Sequence, residues 1–296
     1  MSDPVGRWRA ADLDVDEIVA AKGARRTSVC LPARDEATTV GPIVAALVAE
    51  LVEGHHLLDE VVVVDDGSLD DTAAVAAAAG ARVLAAGDVL PEVGPGSGKG
   101  EALWKSLAAT DGDLVAWCDA DIVDFDPRFV VGLLGPLLLR PDLGFVKGAY
   151  ERDGGRITEL VARPLIALLL PELARFDQPL SGEYAGRRDV LERLPFTQGY
   201  GVDLGLLADA VRVLGPDRVA QVDLGVRSHR SRPLDDLGPA ALAVLHEGLR
   251  RAGTPGMTWP AVLTRPGVEA TTVGDGIRPP LADLPRSARG VLTDRS

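Results

Sequence analysis

The stretch VVVVDDGSLDDT, residues 61–72, predicts more about the fold of this chain than any other. The apolar run of residues 61–64, within a predicted strand of residues 58–64, is typical of a strand that is buried on both faces of a parallel sheet. A second apolar run, residues 114–118, also ends abruptly in carboxylates, at Asp119-Ala120-Asp121. Ligands of open α/β sheets bind at the carboxyl ends of the strands. The two strand ends together therefore predict one binding site.

Strand and helix patterns alternate on both sides of these two runs. Beyond residue 127 the alternation is less regular, but it continues to residue 251. Alternation of this kind indicates an α/β fold with a mostly parallel sheet flanked by helices. The predicted strands are residues 27–31, 58–64, 81–85, 114–118, 144–150 and 218–224, and the predicted helices are residues 39–52, 70–79, 99–109, 127–139, 157–170, 202–214 and 237–251.

The composition limits the kinds of partner that the protein can have. The chain has 296 residues, 46% of them hydrophobic, and a formal net charge of -13 at pH 7. This charge argues against nucleic acid as a partner, because phosphate backbones are bound by clustered cationic side chains. Two cysteines, Cys30 and Cys118, are too few for a disulfide framework, and no N-terminal stretch resembles a signal peptide. We expect a cytoplasmic protein without stable membrane association.

Asp119 and Asp121 stand one residue apart where a buried strand emerges. Two such carboxylates offer the oxygen ligands that a hard divalent cation prefers, and such a cation usually bridges to the phosphates of a bound substrate. With Asp65 and Asp66 at the other strand end, they predict a nucleotide-sugar site. Each pair also has an alternative interpretation as turn residues, with Asp70 capping the helix that follows the first pair.

A glycine-rich loop, Gly94-Pro95-Gly96-Ser97-Gly98-Lys99-Gly100, precedes the third predicted helix. It does not match the P-loop of nucleoside triphosphatases, because Val93 stands where that motif needs glycine and Gly100 where it needs serine or threonine. The backbone N–H groups and the Lys99 ammonium, beside a helix start, still suit an anion. The alternative is that Lys99 is an ordinary solvated lysine.

Three arginines and one of the four histidines fall within residues 227–232. The planar guanidinium groups of Arg227, Arg230 and Arg232 are suited to binding phosphate. His229 is suited to binding a metal or a diphosphate. The alternative interpretation of this segment is a basic surface turn.

These motifs resemble those of GT-A glycosyltransferases, with residues 61–72 and Asp119-Ala120-Asp121 carrying the resemblance. Five longer stretches resemble the glucosyl-3-phosphoglycerate synthases of actinobacteria more specifically, over residues 15–251: PGSGKGEALWKSLAATDGDLV, GGRITELVARPLIALLLPEL, QPLSGEYAGRR, PFTQGYGVDLGLL and QVDLGVRSHRSRPLDDL. The resemblance implies a GT-A (Rossmann-like) fold and transfer of glucose from UDP-glucose to 3-phosphoglycerate with retention of configuration. It also implies a homodimer and a divalent cofactor, Mg²⁺, for which Mn²⁺ or Co²⁺ could substitute.

Transferred position by position, the resemblance assigns roles to individual residues. Asp121 and His229 bind the metal and, with Lys99, form the catalytic set. The nucleotide sugar is bound by Pro32, Ala33, Glu36, Asp65, Asp66, Lys99, Asp119, Ala120 and Asp203. The acceptor is bound by Gly155, Arg156, Thr158, Arg227, Arg230 and Ser231.

The sequence departs from the family pattern at a few of these positions. Asp203 stands where the family has glutamate, Ser231 where it commonly has asparagine, and Asp66 where it often has serine. The segment of residues 150–154 is shorter than in the family. None of these departures removes a metal ligand.

The resemblance also divides the chain into functional regions. Residues 1–26 are an N-terminal segment with a short helix, residues 27–150 the nucleotide-sugar-binding subdomain, and residues 151–252 the acceptor-binding subdomain. Residues 253–296 are rich in Pro, Gly and polar residues, and they predict a flexible tail.

Other activities share parts of this pattern. They are a mannosyl-3-phosphoglycerate synthase, another GT-A transferase such as one acting on a lipid phosphate, and a nucleotide-sugar-binding protein without catalysis. Lipid-phosphate enzymes usually carry a membrane anchor or an amphipathic helix, and neither is recognisable in this sequence. The joint presence of Asp119, Asp121, Lys99 and His229 favours an enzyme over a binding protein.

Overall fold

An eight-stranded sheet forms the centre of the protein in a computed structural model that describes residues 6–151, 155–227, 234–274 and 276–285. Its strands are β1 (Arg7–Arg9), β2 (Thr27–Ala33), β3 (Glu60–Asp65), β4 (Arg82–Ala85), β5 (Leu114–Trp117), β6 (Phe145–Glu151), β7 (Tyr184–Arg187) and β9 (Val219–Val226). The strand order is β1-β9-β6-β7-β5-β2-β3-β4. β7 runs antiparallel to its two neighbours, and the other strands are parallel to one another.

Helices cover the sheet. They are α1 (Val15–Lys22), α2 (Val40–Leu47), α3 (Thr72–Ala78), α4 (Lys99–Ala108), α5 (Arg128–Leu139), α6 (Arg163–Leu169), α7 (Arg188–Leu191), α8 (Val202–Leu214) and α9 (Gly238–Arg251). A π-helical segment continues α2 over Val48–Gly54, and another precedes α6 over Thr158–Ala162. No helix within the described residues is long and apolar enough to cross a membrane.

Both faces of the sheet are buried, as the apolar strands predict. Side chains alternate along a strand, so Val62 and Val64 of β3 pack into one apolar cluster while Val61 and Val63 pack into the other. The first cluster includes side chains of α4 and α8, and the second includes side chains of α2 and α5. The prediction of a mostly parallel α/β sheet flanked by helices is confirmed.

The sheet crosses the region boundaries that the sequence predicts. β1 comes from the N-terminal segment and β7 and β9 from residues 151–252, yet all three belong to the same sheet as the strands of residues 27–150. β1 and β7 were missing from the predicted strands, because three or four residues containing Arg or Gly carry almost no periodic signal. The described residues therefore build one central sheet rather than two separate layers.

Much of the segment that the sequence predicts to be a flexible tail contains regular secondary structure. β10 (Ala261–Arg265) and β11 (Val268–Val273) form an antiparallel hairpin. β12 (Ile277–Arg278) pairs with the short strand β8 (Phe196–Thr197), and Leu281 is buried. Polar composition did not predict this packing, because it depends on partners far away in the sequence.

Candidate active site

The carboxyl ends of the parallel strands lie along one edge of the sheet, where polar loops follow them. In the sheet register Ala33 of β2 is the partner of Asp65 of β3. The N–H of Cys118, just after β5, donates to the carbonyl oxygen of Cys30 in β2 (3.2 Å). Because the three neighbouring strands are aligned in this way, the loops that follow them open onto a common space.

That space is a cavity of about 440 Å³, which falls within the usual size of a small-molecule site. Eight residues that the sequence assigns to donor or metal binding line it: Pro32, Ala33, Glu36, Asp66, Lys99, Asp119, Ala120 and Asp121. The sequence did not assign a role to the other lining residues, which are Arg34, Asp35, Ser97, Gly98, Ala102, Gly199 and Tyr200.

The two aspartates after β3 differ in their surroundings. Asp66 lines the cavity, accepts a hydrogen bond from the Gly98 N–H (2.7 Å) and lies 3.8 Å from the Arg34 guanidinium. Burial raises the pKa of Asp66 above its usual value, and the Gly98 N–H and Arg34 oppose this shift. The Asp65 carboxylate instead accepts from the backbone N–H (3.3 Å) and the hydroxyl of Ser68. Asp65 thus has the contacts of a turn residue, the alternative that the sequence left open.

Lys99 begins α4 and is held between two carboxylates. Its Nζ lies 2.7 Å from Asp119 Oδ1 and 3.2 Å from Asp203 Oδ2. Burial alone would lower the pKa of Lys99, but the charges of Asp119 and Asp203 outweigh burial and raise the pKa above its usual value. Lys99 is therefore a fixed positive charge on the cavity wall, not a solvated lysine.

Asp203 lies behind that wall, in the first turn of α8. Besides Lys99, it accepts a hydrogen bond from the Tyr184 hydroxyl (3.1 Å). Burial raises the pKa of Asp203, and Lys99 opposes the shift. Asp203 is not among the residues that line the cavity. Its contacts position Lys99 from behind.

The structure does not support the acceptor-binding role assigned to Arg227. Its side chain is 1% exposed, and Nη2 lies 3.2 Å from Asp121 Oδ1 and 3.7 Å from Asp119 Oδ2. Its Nη1 pairs closely with the buried Glu183. The Arg227 N–H donates to Glu151 O (2.9 Å), so the backbone stays beside β6 and the side chain is directed inward. Arg227 therefore holds carboxylates together instead of offering an open phosphate site.

Among the described residues, the other predicted acceptor residues, Gly155, Arg156 and Thr158, do not line the cavity. Gly155, Arg156 and Thr158 come shortly after the end of β6, and Thr158 is buried. His229, Arg230 and Ser231 lie outside the described residues.

Comparison with known proteins identifies the family. The Glycosyl transferase family 2 model matches residues 28–160. The glucosyl-3-phosphoglycerate synthase of Mycolicibacterium smegmatis is 50% identical over 257 residues, which cover 83% of this chain and 82% of that protein. The chain belongs to the glucosyl-3-phosphoglycerate synthase family. The synthase of Petrotoga mobilis is 45% identical over 80% of this chain and 77% of its own length.

The fold of this chain also matches that of a solved glucosyl-3-phosphoglycerate synthase. A crystal structure of the Mycobacterium tuberculosis enzyme with Mn²⁺, UDP-glucose and phosphoglyceric acid has a TM-score of 0.88 and 46% sequence identity. The alignment covers 95% of this chain and 99% of that chain. The resemblance that the sequence motifs indicated is thus confirmed, for the family and for the fold.

The carboxylate oxygens of the cavity are suitable ligands for a divalent ion such as the Mn²⁺ in the crystal structure of that relative. The Asp121 side chain is 47% exposed and lines the cavity close to Asp119. Among the described residues no three His, Cys, Asp or Glu side chains lie close enough together to hold a metal ion. A divalent ion bound by one or two carboxylates completes its coordination with substrate phosphates and water. Asp121 and Asp119 fit such a site, and His229, the other metal ligand predicted besides Asp121, lies outside the described residues.

Glu183 lies at the centre of this charge cluster, a position that the sequence did not predict. Glu183 comes just before β7, whose antiparallel direction brings its first residue to the same edge as the ends of the parallel strands. Burial raises the pKa of Glu183, and the Arg227 guanidinium opposes the shift. The preceding Gly182 leaves room for the Asp119 carboxylate, which a Cβ at residue 182 would overlap. The available signal was a glutamate next to a tyrosine in the short segment Gly182-Glu183-Tyr184.

A buried lysine supports the same cluster from the core. Lys147 in β6 donates to the carbonyl oxygens of Ser181 (2.8 Å) and Asp203 (3.2 Å). Its Nζ lies 4.5 Å from the centre of the Tyr184 ring. Burial lowers the pKa of Lys147 to about 8. Lys147 fixes the segments that carry Glu183 and Asp203 in place.

Proposed function

We propose that this chain transfers glucose from UDP-glucose to 3-phosphoglycerate. The observation that carries the proposal is the cavity at the strand ends, where Lys99 and Asp121 face the same space. A nucleoside diphosphate needs a cation near its phosphates, and a divalent ion on Asp121 together with Lys99 meets this need. Membership of the glucosyl-3-phosphoglycerate synthase family supports glucose and 3-phosphoglycerate as the two partners.

The residues of the cavity favour departure of UDP. Negative charge develops on the diphosphate as its bond to glucose breaks, and a positive charge that is already in place stabilises this transition state. Lys99 is such a charge, because Asp119 and Asp203 hold its ammonium on the cavity wall. Arg227 supplies a second buried positive charge directly behind Asp121.

A divalent ion held by Asp121 and His229, with Asp119 beside it, would act on the diphosphate as a Lewis acid. Mg²⁺ is the proposed ion, with Mn²⁺ or Co²⁺ able to replace it. Crystal structures of the Mycobacterium tuberculosis enzyme with Mn²⁺ and UDP-glucose, and with Mg²⁺ and UDP, support a divalent ion in this role.

We propose that the acceptor attacks from the face on which UDP departs, so that configuration is retained. The bond from glucose C1 to the diphosphate breaks, the bond to the acceptor oxygen forms, and the hydroxyl proton passes to the departing diphosphate. Glu183 and Asp203 are each held in buried ion pairs. This engagement argues against a covalent glucosyl intermediate on either carboxylate.

The acceptor is proposed to bind beside the cavity, to Gly155, Arg156 and Thr158 and to residues 230 and 231. These segments follow β6 and β9, whose ends are neighbours: Glu151 and Val226 are partners in the sheet register. Both segments therefore start at the sheet edge where the donor cavity lies.

We also propose that the protein works as a homodimer in the cytoplasm. Two leucines are largely exposed: Leu160, in the π-helical segment before α6, is 72% exposed, and Leu168, in α6, is 79% exposed. Exposed apolar side chains of this size favour contact with another protein surface. Light scattering on the purified protein should give twice the mass of the chain, and a monomer at micromolar concentration would contradict the dimer.

A panel of donors and acceptors tests the proposed reaction. UDP-glucose, GDP-glucose and GDP-mannose are each incubated with 3-phosphoglycerate, with glycerate or without acceptor, and release of nucleoside diphosphate is measured. Each reaction is run with Mg²⁺, Mn²⁺ or Co²⁺ and with a chelator. We expect rapid release only from UDP-glucose with 3-phosphoglycerate and a divalent ion.

Other results of the panel would each identify an alternative. A preference for GDP-mannose would make the chain a mannosyl-3-phosphoglycerate synthase. Binding of UDP-glucose without turnover in any reaction would make it a binding protein. Full activity in the chelator would overturn the proposed metal site.

A further inference from the structure

Arg278 in the short C-terminal strand β12 makes a bidentate ion pair with Glu101 in the first turn of α4. Its Nε lies 2.6 Å from Glu101 Oε2 and its Nη2 lies 2.8 Å from Glu101 Oε1. The two residues are 177 positions apart in the sequence. Glu101 is completely buried and Arg278 nearly so. Two parallel hydrogen bonds between a planar guanidinium and a carboxylate fix their relative orientation.

The same guanidinium also holds the loop that precedes α4. Its Nη1 donates to the carbonyl oxygen of Val93 (2.8 Å) and its Nη2 to that of Gly94 (2.9 Å). Arg278 therefore ties the start of the glycine-rich loop to the helix that the loop enters. Residues Ser97, Gly98 and Lys99, which line the donor cavity, lie between these two attachment points.

A second cavity loop is attached to the same group. The Gln198 amide nitrogen donates to Glu101 Oε2 (2.9 Å), and the Glu101 N–H donates to Gln198 O (3.2 Å). The Gln198 N–H donates to Gly276 O (2.9 Å), two residues before Arg278. Gly199 and Tyr200, which line the cavity, follow Gln198 directly. The two loops and the C-terminal segment thus meet at Glu101.

Three of the four glycines of residues 94–100, namely Gly96, Gly98 and Gly100, are explained by this contact. Gly98 has a φ of +95°, and a Cβ there would lie 2.9 Å from Gln198 O. A Cβ at Gly96 would overlap the side chains of Gln198 and Glu101, and one at Gly100 would overlap the backbone of Thr197. Glycine at these positions lets the two loops approach closely, a role that the comparison with a P-loop did not suggest.

We propose that Arg278 is a positioning residue for the nucleotide-sugar site, acting through Glu101 on the loops that carry Lys99 and Tyr200. This inference rests on the proposed function, because it takes the cavity to be the donor site. The C-terminal segment of residues 276–284 is then part of the machinery that binds the donor. Without Arg278, Glu101 still pairs with Lys105 at 3.2 Å and still accepts a hydrogen bond from the Gln198 amide. The carbonyl oxygens of Val93 and Gly94, however, lose the hydrogen bonds that Arg278 donates to them.

Loss of these hydrogen bonds should weaken the binding of UDP-glucose and leave the binding of 3-phosphoglycerate unchanged. Arg278→Gln should raise the KM for UDP-glucose and the dissociation constant for UDP about tenfold or more, which corresponds to about 1.4 kcal/mol. The KM for 3-phosphoglycerate should not change. Arg278→Lys keeps the charge beside Glu101 but cannot make the bidentate pair and reach both carbonyl groups, so its donor KM should be intermediate.

Arg82→Gln is the matched control. Arg82 also pairs with a glutamate, Glu60 (2.6 Å), and donates to a backbone carbonyl, that of Ala109 (2.6 Å). It lies at the first residue of β4, at the sheet edge opposite the cavity. If the Arg278 variants only weaken the fold, Arg82→Gln should lower the melting temperature similarly and change the donor KM to the same extent. That result would overturn the proposal.

Coupling through Glu101 gives an independent test. Titration calorimetry with UDP is carried out on the wild type, Arg278→Gln, Glu101→Gln and the double variant, with Arg278→Lys replacing Arg278→Gln if the latter does not fold. We expect the double variant to bind UDP about as weakly as the weaker single variant, because both substitutions break one connection. The proposal would be overturned if the loss of UDP affinity in the double variant equalled the product of the two single losses. Unchanged UDP affinity in the Arg278 variants would also overturn it. A wild-type protein that does not bind UDP would instead overturn the proposed function, and this inference with it.

Discussion

Asp121→Asn should lower the rate of glucose transfer about a thousandfold, the upper range for loss of one preorganised charge-stabilising group. Asparagine keeps the size of the side chain but removes the negative charge that would hold a divalent ion. The Asp121 carboxylate is half exposed, so the fold should tolerate the change. The measurement is UDP release from UDP-glucose and 3-phosphoglycerate at saturating metal, with the melting temperature as a test of folding.

Asp142→Asn is the matched control for this variant. The Asp142 side chain is 53% exposed and pairs with Arg140 at 2.7 Å, much as Asp121 pairs with Arg227. It precedes β6, at the sheet edge far from the cavity. Asp142→Asn should keep full activity. An Asp121→Asn enzyme that retained more than about a tenth of the wild-type rate would contradict the assignment of Asp121 to the metal.

Lys99→Met should lower kcat/KM for UDP-glucose about a hundredfold, as expected for a residue that stabilises the developing charge of the leaving group. The substitution also leaves Asp119 and Asp203 without the ammonium between them, and their repulsion should hinder binding of an anionic diphosphate. Steady-state kinetics with UDP-glucose as the varied substrate measure this effect. Because the pKa of Lys99 is raised above its usual value, the wild-type donor KM should not rise through loss of this charge between pH 7 and pH 9.

Lys22→Met separates the electrostatic role of Lys99 from general destabilisation. Lys22 is buried like Lys99, pairs with Asp59 at 2.8 Å and donates to His56 O, but it lies in α1 outside the cavity. Both methionine variants should lose stability, because each removes the lysine of a largely buried ion pair. Only Lys99→Met should lose donor affinity. Equal kinetic losses in the two variants would show that Lys99 acts through the fold alone.

Most residues that line the cavity were predictable from sequence because they follow buried parallel strands. Asp66 and Asp121 stand within three residues of the ends of short apolar runs, and the register of a parallel sheet brings such strand ends together. Lys99 was identifiable for a related reason, since a glycine-rich loop before a helix is a local signal. Local patterns were sufficient wherever position in the strand determined position in the site.

Residues that depend on distant partners were not predictable in this way. Glu183 reaches the cluster because β7 is inserted antiparallel between β5 and β6, and a four-residue strand gives no pattern from which to infer its direction. Arg227 was expected to be a phosphate ligand, because an arginine-rich segment does not reveal which side chain turns inward toward a buried glutamate.

The C-terminal segment is the clearest case of this limit. Its composition is that of a loose tail, yet Arg278 is buried through an ion pair with a residue 177 positions away. The free energy of such a pair depends on burial and geometry, which one sequence does not contain. The contact became recognisable only when β12 was seen to pair with β8.

The most direct test of glucose transfer is the product of UDP-glucose and 3-phosphoglycerate, analysed by proton and phosphorus NMR after incubation with Mg²⁺. We expect UDP and one new phosphorylated glucoside in equal amounts, with the anomeric proton of an α-glucoside, because the α configuration of the donor is retained. A β-glucoside would contradict attack on the face from which UDP departs. Free glucose, or no glucoside at all, would contradict the claim that this cavity transfers glucose to 3-phosphoglycerate.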